Sequence, residues 1–252
     1  MADTENKAMS SRVFQQFMDL FIKPEIERRQ LAGELPKPLI LTAAQIIFFP
    51  DGRPPQVRIN REVRAIGKIR FRKGVTKNKG DPVFSDDVEG IEEIQLGDSS
   101  LADCGHATLI SLADRWVIAF DFRYNKELSR QHLERAAEFL AAADFSFSKC
   151  MWSAMVDNLF SASELIARAI LLGLPDKQFA EKATHNAIHR RLNRFGSIGN
   201  IDPGHVGAFN KLRKLRDGAR YLKGALKIDR DDASRLLEAV KEMYEFAKGQ
   251  LL

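Results

Sequence analysis

Residues 151–172 read MWSAMVDNLFSASELIARAILL, and the architecture of the second half of the chain follows from their apolar stripe. Trp152, Met155, Val156, Leu159, Ser163, Ile166 and Ile170 recur at three- and four-residue intervals, the spacing of one helical face, and Gly173-Leu174-Pro175 closes the run. Working outward, the pattern predicts a preceding helix from about Glu127 to Phe147. Downstream, a third helix runs from about Lys177 to Phe195 and ends at Gly196. The loop Gly196-Ser197-Ile198-Gly199-Asn200 reads as a connection leading to Asp202-Pro203, a cap followed by proline that starts a fourth helix reaching about Leu226. A fifth, Arg230 to Lys248, begins behind the acidic cap cluster Asp229 to Asp232. No strand pattern occurs from Lys126 onward, so these helices form an up-and-down bundle.

Toward the amino terminus the periodicity changes. Val13, Phe14, Phe17, Met18, Phe21 and Ile22 lie on one face of a helix between Ser11 and Arg29. Strand-like runs follow at Leu39 to Phe49, Val57 to Ile59, Ala65 to Phe71, Ile91 to Leu96, Ala107 to Leu112 and Trp116 to Phe122. Pro50-Asp51-Gly52-Arg53-Pro54-Pro55 separates the first two, because glycine accepts positive φ and proline cannot extend a ladder. Ala113-Asp114-Arg115 turns the last two into a hairpin. The expected fold class is α+β: an N-terminal helix with a mostly antiparallel β unit of five to seven strands, sandwich or partly open barrel, then the all-α bundle. The expected domains are residues 1–125, of no recognised family, and residues 126–252.

The composition is that of an ordinary folded chain: 252 residues, 44% hydrophobic, 29% charged and 9% aromatic. This excludes collagen-like and low-complexity classes. Two cysteines, Cys104 and Cys150, provide neither a disulfide framework nor metal-ligand spacing. Met1 to Ser11 lacks the pattern of a signal peptide, and the longest apolar region, Pro38 to Phe49, is interrupted by Thr42 and Gln45 and is far short of the ~20 residues that span a bilayer. The expectation is a cytoplasmic protein with no membrane partner.

The net charge of +5 conceals two larger local imbalances. Between Arg58 and Lys79 there are nine basic residues and one acid, Glu62, whereas Asp81 to Asp103 carries eight acids and no base. In adjacent strands these blocks would pair across the sheet; unpaired, the basic block would offer phosphate contacts. A second basic concentration lies on the fourth helix, where Arg213, Arg216, Arg220, Lys223 and Lys227 follow helical spacing one position after Leu212, Leu215, Ala219, Leu222 and Leu226. Arg190, Arg191 and Arg194 on the third helix carry the same sign. This stripe reads either as a solvated face or as an anion or RNA contact.

Searches for a phosphate-binding glycine loop, a dinucleotide fingerprint, a nucleophile elbow and a paired-histidine zinc motif all fail. Cys104-Gly105-His106 has no further ligands at structural-zinc spacing, so no metal and no cofactor are expected. His185 and His189, four apart, face one way on the third helix. Glu164 is a charge within an otherwise apolar helix, which calls for a partner such as an arginine across the bundle or for a solvated edge.

On these residues the second half resembles a HEPN domain, the helical module named for nucleotide binding in higher eukaryotes and prokaryotes. The resemblance is carried by the run HLERAAEFL from His132, the run DNLFSASEL from Asp157, THNAI from Thr184 and LRKLRDGARY from Leu212, and it covers roughly residues 126–252. It implies a homodimer through the helical half. In many members of that family an arginine followed after four to six residues by histidine forms a metal-independent ribonuclease site across the dimer. The histidine moves a proton while the arginine stabilises charge on the phosphate. Here Arg216-Asp217 resembles the beginning of that motif, but the residue five positions after Arg216 is Tyr221, and none of the five histidines has an arginine five to seven positions before it. A tyrosine, with a reference pKa of ~10, is a poor base at neutral pH.

The sequence therefore predicts a dimeric HEPN-like binding or regulatory protein, without catalysis, that contacts RNA, a nucleotide or another anionic ligand. The ligand residues would be Arg213, Arg216, Arg220, Lys223, Lys227, Arg190, Arg191 and His185. The alternative is a metal-independent endoribonuclease of a toxin or defence system, with Arg216 and Tyr221 in the catalytic positions and a non-standard base drawn from His185 or His189. A third reading makes the β-rich half the recognition module for a protein partner.

Overall fold

The computed structural model describes residues 11–113, 115–221 and 225–251. The chain divides into two compact units, one ending at Phe122 and one beginning at Arg123.

In the first unit, helix α1 (residues 11–31) contains a π-helical turn at Met18–Ile22. Its stripe of Phe14, Phe17, Met18, Phe21 and Ile22 packs against Ala44, Ile46, Ala107 and Leu109 of a four-stranded sheet. The strands are β1 (Ala43–Phe48), β2 (Gln56–Ile59), β5 (Gly105–Ser111) and β6 (Trp116–Asp121), in the order β2-β1-β5-β6. β3 (Ala65–Phe71) and β4 (Val88–Leu96) form a separate two-stranded sheet, and every pairing is antiparallel. The first strand begins at Ala43 rather than Leu39, because the Thr42 and Ala43 amides donate to the Asn60 side-chain oxygen at 2.8 and 3.3 Å. Gly52, at φ +77°, closes the turn between β1 and β2. On the sheet face away from α1, Gln45 lies opposite Thr108 and donates to its hydroxyl at 3.1 Å, so two fully buried polar side chains satisfy each other. The basic and acidic blocks meet as ion pairs: Lys68 with Glu92, Arg70 with Glu89, Lys77 with Asp87 and Arg58 with Asp98. Four of the nine bases and four of the eight acids are thus paired within the unit.

The second unit comprises α2 (Lys126–Ser148), α3 (Trp152–Leu172), α4 (Lys177–Lys182), α5 (His185–Ser197), α6 (Pro203–Tyr221) and α7 (Arg230–Leu251). The fold is α+β, as the change of hydrophobic period predicts. α3 is central, packing against α2, α5, α6 and α7. It buries Met155, Val156, Leu159, Ile166 and Ile170 against residues such as Leu133, Phe209, Leu212 and Val240. Burying side chains of this size contributes about 1.5–3 kcal/mol each. Ser163 interrupts this stripe without penalty, since its hydroxyl donates to the Phe160 carbonyl at 2.8 Å.

Several helix boundaries differ from the sequence reading. The expected third helix is two helices, because Thr184 accepts from the Ala187 amide at 3.2 Å and caps a new start, while Asp176 caps α4 through the Phe179 amide at 2.9 Å. The expected fourth helix reaches Tyr221, and residues 225–229 are not helical, which takes Leu226 and Lys227 off the stripe. Leu222, Lys223 and Asp114 lie outside the described residues. Gly196 belongs to α5 rather than to a loop: a Cβ there would stand 2.7 Å from the Val206 side chain, so the glycine permits α5 and α6 to approach.

Candidate functional site

The side of α3 opposite its core stripe carries Asp157, Ser161, Glu164 and Arg168, spaced so that they align along the helix. α5 brings His185, Asn186 and His189 to this side, and α6 brings Arg213, Arg216 and Arg220. The two helices are fastened together by a reciprocal amide pair: Asn210 donates to Asn193 at 2.8 Å, and Asn193 donates to Asn210 at 3.3 Å.

Asp157 is the centre of one end. Its Oδ1 accepts from Arg216 Nε at 3.3 Å and from Arg220 Nη1 at 3.4 Å. The Arg216 guanidinium also lies 4.6 Å above the Phe160 ring, which stacks on Phe209 at 5.8 Å. Such a cation over an aromatic face adds about 0.5–2 kcal/mol depending on desolvation. The aromatic beneath Arg216 is therefore Phe160; Tyr221, half exposed, lies instead near Arg220, with 5.8 Å between guanidinium and ring. Two arginines share one carboxylate, which leaves a surplus of positive charge at this end.

At the other end Glu164 meets His185 in a hydrogen bond through Nδ1, so its partner is a histidine rather than an arginine. A carboxylate accepting from Nδ1 leaves Nε2 as the lone-pair nitrogen of the neutral ring. The His185 side chain is 72% exposed. Between the two ends, Arg213 donates to Asn186 at 3.1 Å. His189 stacks on Phe209 at 6.2 Å, and burial together with the neighbouring Arg213 pushes its pKa below the ordinary histidine value. Both causes favour the neutral imidazole, while a hydrogen bond with Asn210 acts the other way.

The structure does not gather every predicted ligand residue. Arg191 turns away to Asp176, 2.6 Å distant, and covers the Phe179 ring at 4.6 Å. Arg190 is exposed on α5, and Lys227 is exposed in the non-helical segment after α6. Asp157, Asn186 and the Asn193–Asn210 pair escaped the sequence reading. Asp157 and Glu164, two acids seven residues apart in an apolar helix, were the signal that would have located this side of α3.

Further along the same side, Arg168 Nε and His132 Nε2 of α2 are both buried without a hydrogen-bond partner among the described residues. Burial, with Arg168 and Arg135 adding repulsion, lowers the His132 pKa to about 4. Among the described residues no group of three or more His, Cys, Asp or Glu side chains could hold a metal ion, and no helix is long and apolar enough to cross a membrane.

Comparison with known families gives this arrangement a class. The family model of the HEPN domain matches residues 129–250. The C-terminal half of the chain is thus a HEPN domain, and its helices α2 to α7 are the elements of that module. A search of curated proteins found no match.

Proposed function

We propose that the HEPN half is a non-catalytic module that binds RNA or another phosphate-bearing ligand as a homodimer, through the face built by α3, α5 and α6. The observation that carries this reading is the sharing of Asp157 by Arg216 and Arg220, with Arg213 beside them on α6: three guanidiniums aligned on one helix against one acid. Guanidiniums fork onto phosphate oxygens, and those at the surface retain unused donors. Absence of catalysis is supported by sequence spacing: no histidine stands five to seven positions after Arg216, where Tyr221 is found instead.

Fluorescence polarisation with a mixed RNA pool across a salt series tests the proposal. Binding at low salt that weakens steeply with added salt is expected; undetectable or salt-insensitive binding would sink it. Light scattering should give twice the mass of one chain.

A metal-independent endoribonuclease is the second reading, favoured by one observation: His189 stacks on Phe209 beside Arg213, which lowers its pKa and would put a proton acceptor next to a phosphate contact. Incubation with RNA in chelator decides it. Cleavage abolished by His189→Gln and by Arg213→Ala supports the enzyme, and intact RNA rejects it.

A further inference from the structure

The side of α3 that carries Asp157 and Glu164 ends in a group of nitrogen donors with no acid paired to them. Arg168 lies eleven residues beyond Asp157 on that side. The Ser129 hydroxyl of α2 donates to the Ala169 carbonyl at 3.1 Å, which sets α2 against this end of α3. His132, one turn along α2 from Ser129, comes beside Arg168, and Arg135 follows one turn further. Among the described residues none of the three makes an ion pair or a side-chain hydrogen bond. Of the Arg168 nitrogens only Nε is shielded from solvent, which leaves both Nη groups open to an acceptor, and Arg135 is exposed. Burial and the two guanidiniums push the His132 pKa in one direction, down to about 4. An anion arriving here would relieve the repulsion between the cations and satisfy their unused donors.

The surface between the two ends does not oppose such a ligand. Glu164 is only 15% exposed and is bonded to His185, whose ring is the exposed member of the pair. A strand crossing this stretch meets chiefly an imidazole, on which an unpaired base can stack, rather than a carboxylate that would repel phosphate. At ~1.5 Å per residue, Arg168 stands ~16 Å from Asp157 along the helix. A mononucleotide cannot cover that span, whereas a stacked strand does so with about five nucleotides at ~3.4 Å each.

Given that this face binds phosphate, as proposed above, we infer that its ligand is a single strand of RNA several nucleotides long, held through phosphates at both ends of α3. Arg216 and Arg220 take one phosphate, and Arg168 and Arg135, with His132 beside them, form a second phosphate site. Guanidiniums suit both ends because their planar forks match phosphate oxygens.

Calorimetric titration with a dinucleotide and an octanucleotide of uridine tests the second site, comparing wild type, Arg168→Gln, Arg135→Gln and Arg216→Ala. Each of the first two variants should weaken the octanucleotide about fivefold, the effect of one charge at ~4 Å in water, and leave the dinucleotide unchanged. Arg135 is exposed and unpaired, so Arg135→Gln should keep the wild-type thermal midpoint and carries the test alone where Arg168→Gln fails to fold. An octanucleotide affinity unchanged in Arg135→Gln and Arg168→Gln but lowered in Arg216→Ala would overturn the second site and leave the helical reading standing. So would equal affinity of the wild type for the two ligands. A fall to the mass of one chain in Arg135→Gln would assign these cations to a carboxylate of a second copy and overturn the inference. No octanucleotide binding by the wild type would overturn both.

Discussion

Arg216 holds two interactions at once: a carboxylate it shares with Arg220 and an aromatic face beneath it. Asp157 therefore competes with any incoming phosphate. Replacing it, Asp157→Asn, should cost about 1 kcal/mol of stability, as for a partly exposed ion pair, and should tighten RNA binding about fivefold, the effect of removing one charge at ~4 Å in water. Polarisation titrations beside urea unfolding read both; weaker binding would mean that Asp157 orients the arginines rather than competing with ligand. His132 makes a second prediction. Its folded pKa of about 4 lies below the ~6.5 of an unfolded histidine, so the unfolded state binds the proton more readily. Stability is full above about pH 6.5 and falls as pH drops toward 4, by ~1–2 kcal/mol for a half-buried ring. His132→Asn should flatten that part of the profile of urea midpoint against pH.

At the scale of elements, the α5–α6 junction depends on close approach. Gly196→Ala places a methyl 2.7 Å from Val206, itself buried, and should destabilise the protein by about 1–3 kcal/mol. The double variant Gly196→Ala with Val206→Ala should lose less than the sum of its parts, a coupling that denaturant unfolding of all four proteins measures. The same junction explains why the helix count was not fully legible. Thr184 is a good cap, but only the packing of α5 on α3 and α6 shows that the chain uses it to restart a helix. The strands of the first unit were easier, since period-two patterning and the Asp51-Gly52 turn are local signals. The fate of their charges was less legible: the sequence left open pairing across the sheet or a phosphate surface, and the structure pairs Lys68 and Arg70 of β3 with Glu92 and Glu89 of β4, and Lys77 with Asp87 beyond the ladder.

For the molecule as a whole, the helical face should dominate the salt dependence of RNA binding. Each phosphate contact to a single strand contributes a slope of about 0.7 in log affinity against log salt. Replacing Arg213, Arg216 and Arg220 together should therefore flatten the slope by about 2, whereas replacing Arg190 and Arg191, of which Arg191 is engaged with Asp176, should change it less. Equal losses would move the interface to another part of α5.

By itself the sequence determined the fold class, the order of helix-rich after strand-rich regions and the HEPN character of residues 129–250, because these rest on periodicity and short motifs that neighbouring residues carry. It also showed that Arg216 lacks a histidine at motif spacing. Only the tertiary structure decided that Asp157 shares itself between two arginines, that Glu164 takes His185, and that Arg191 faces away. Those are pairings between residues tens of positions apart. Charge and hydrogen-bonding capacity can be read from a residue's type, but the partner that satisfies them is chosen by which helices and strands the buried core brings side by side.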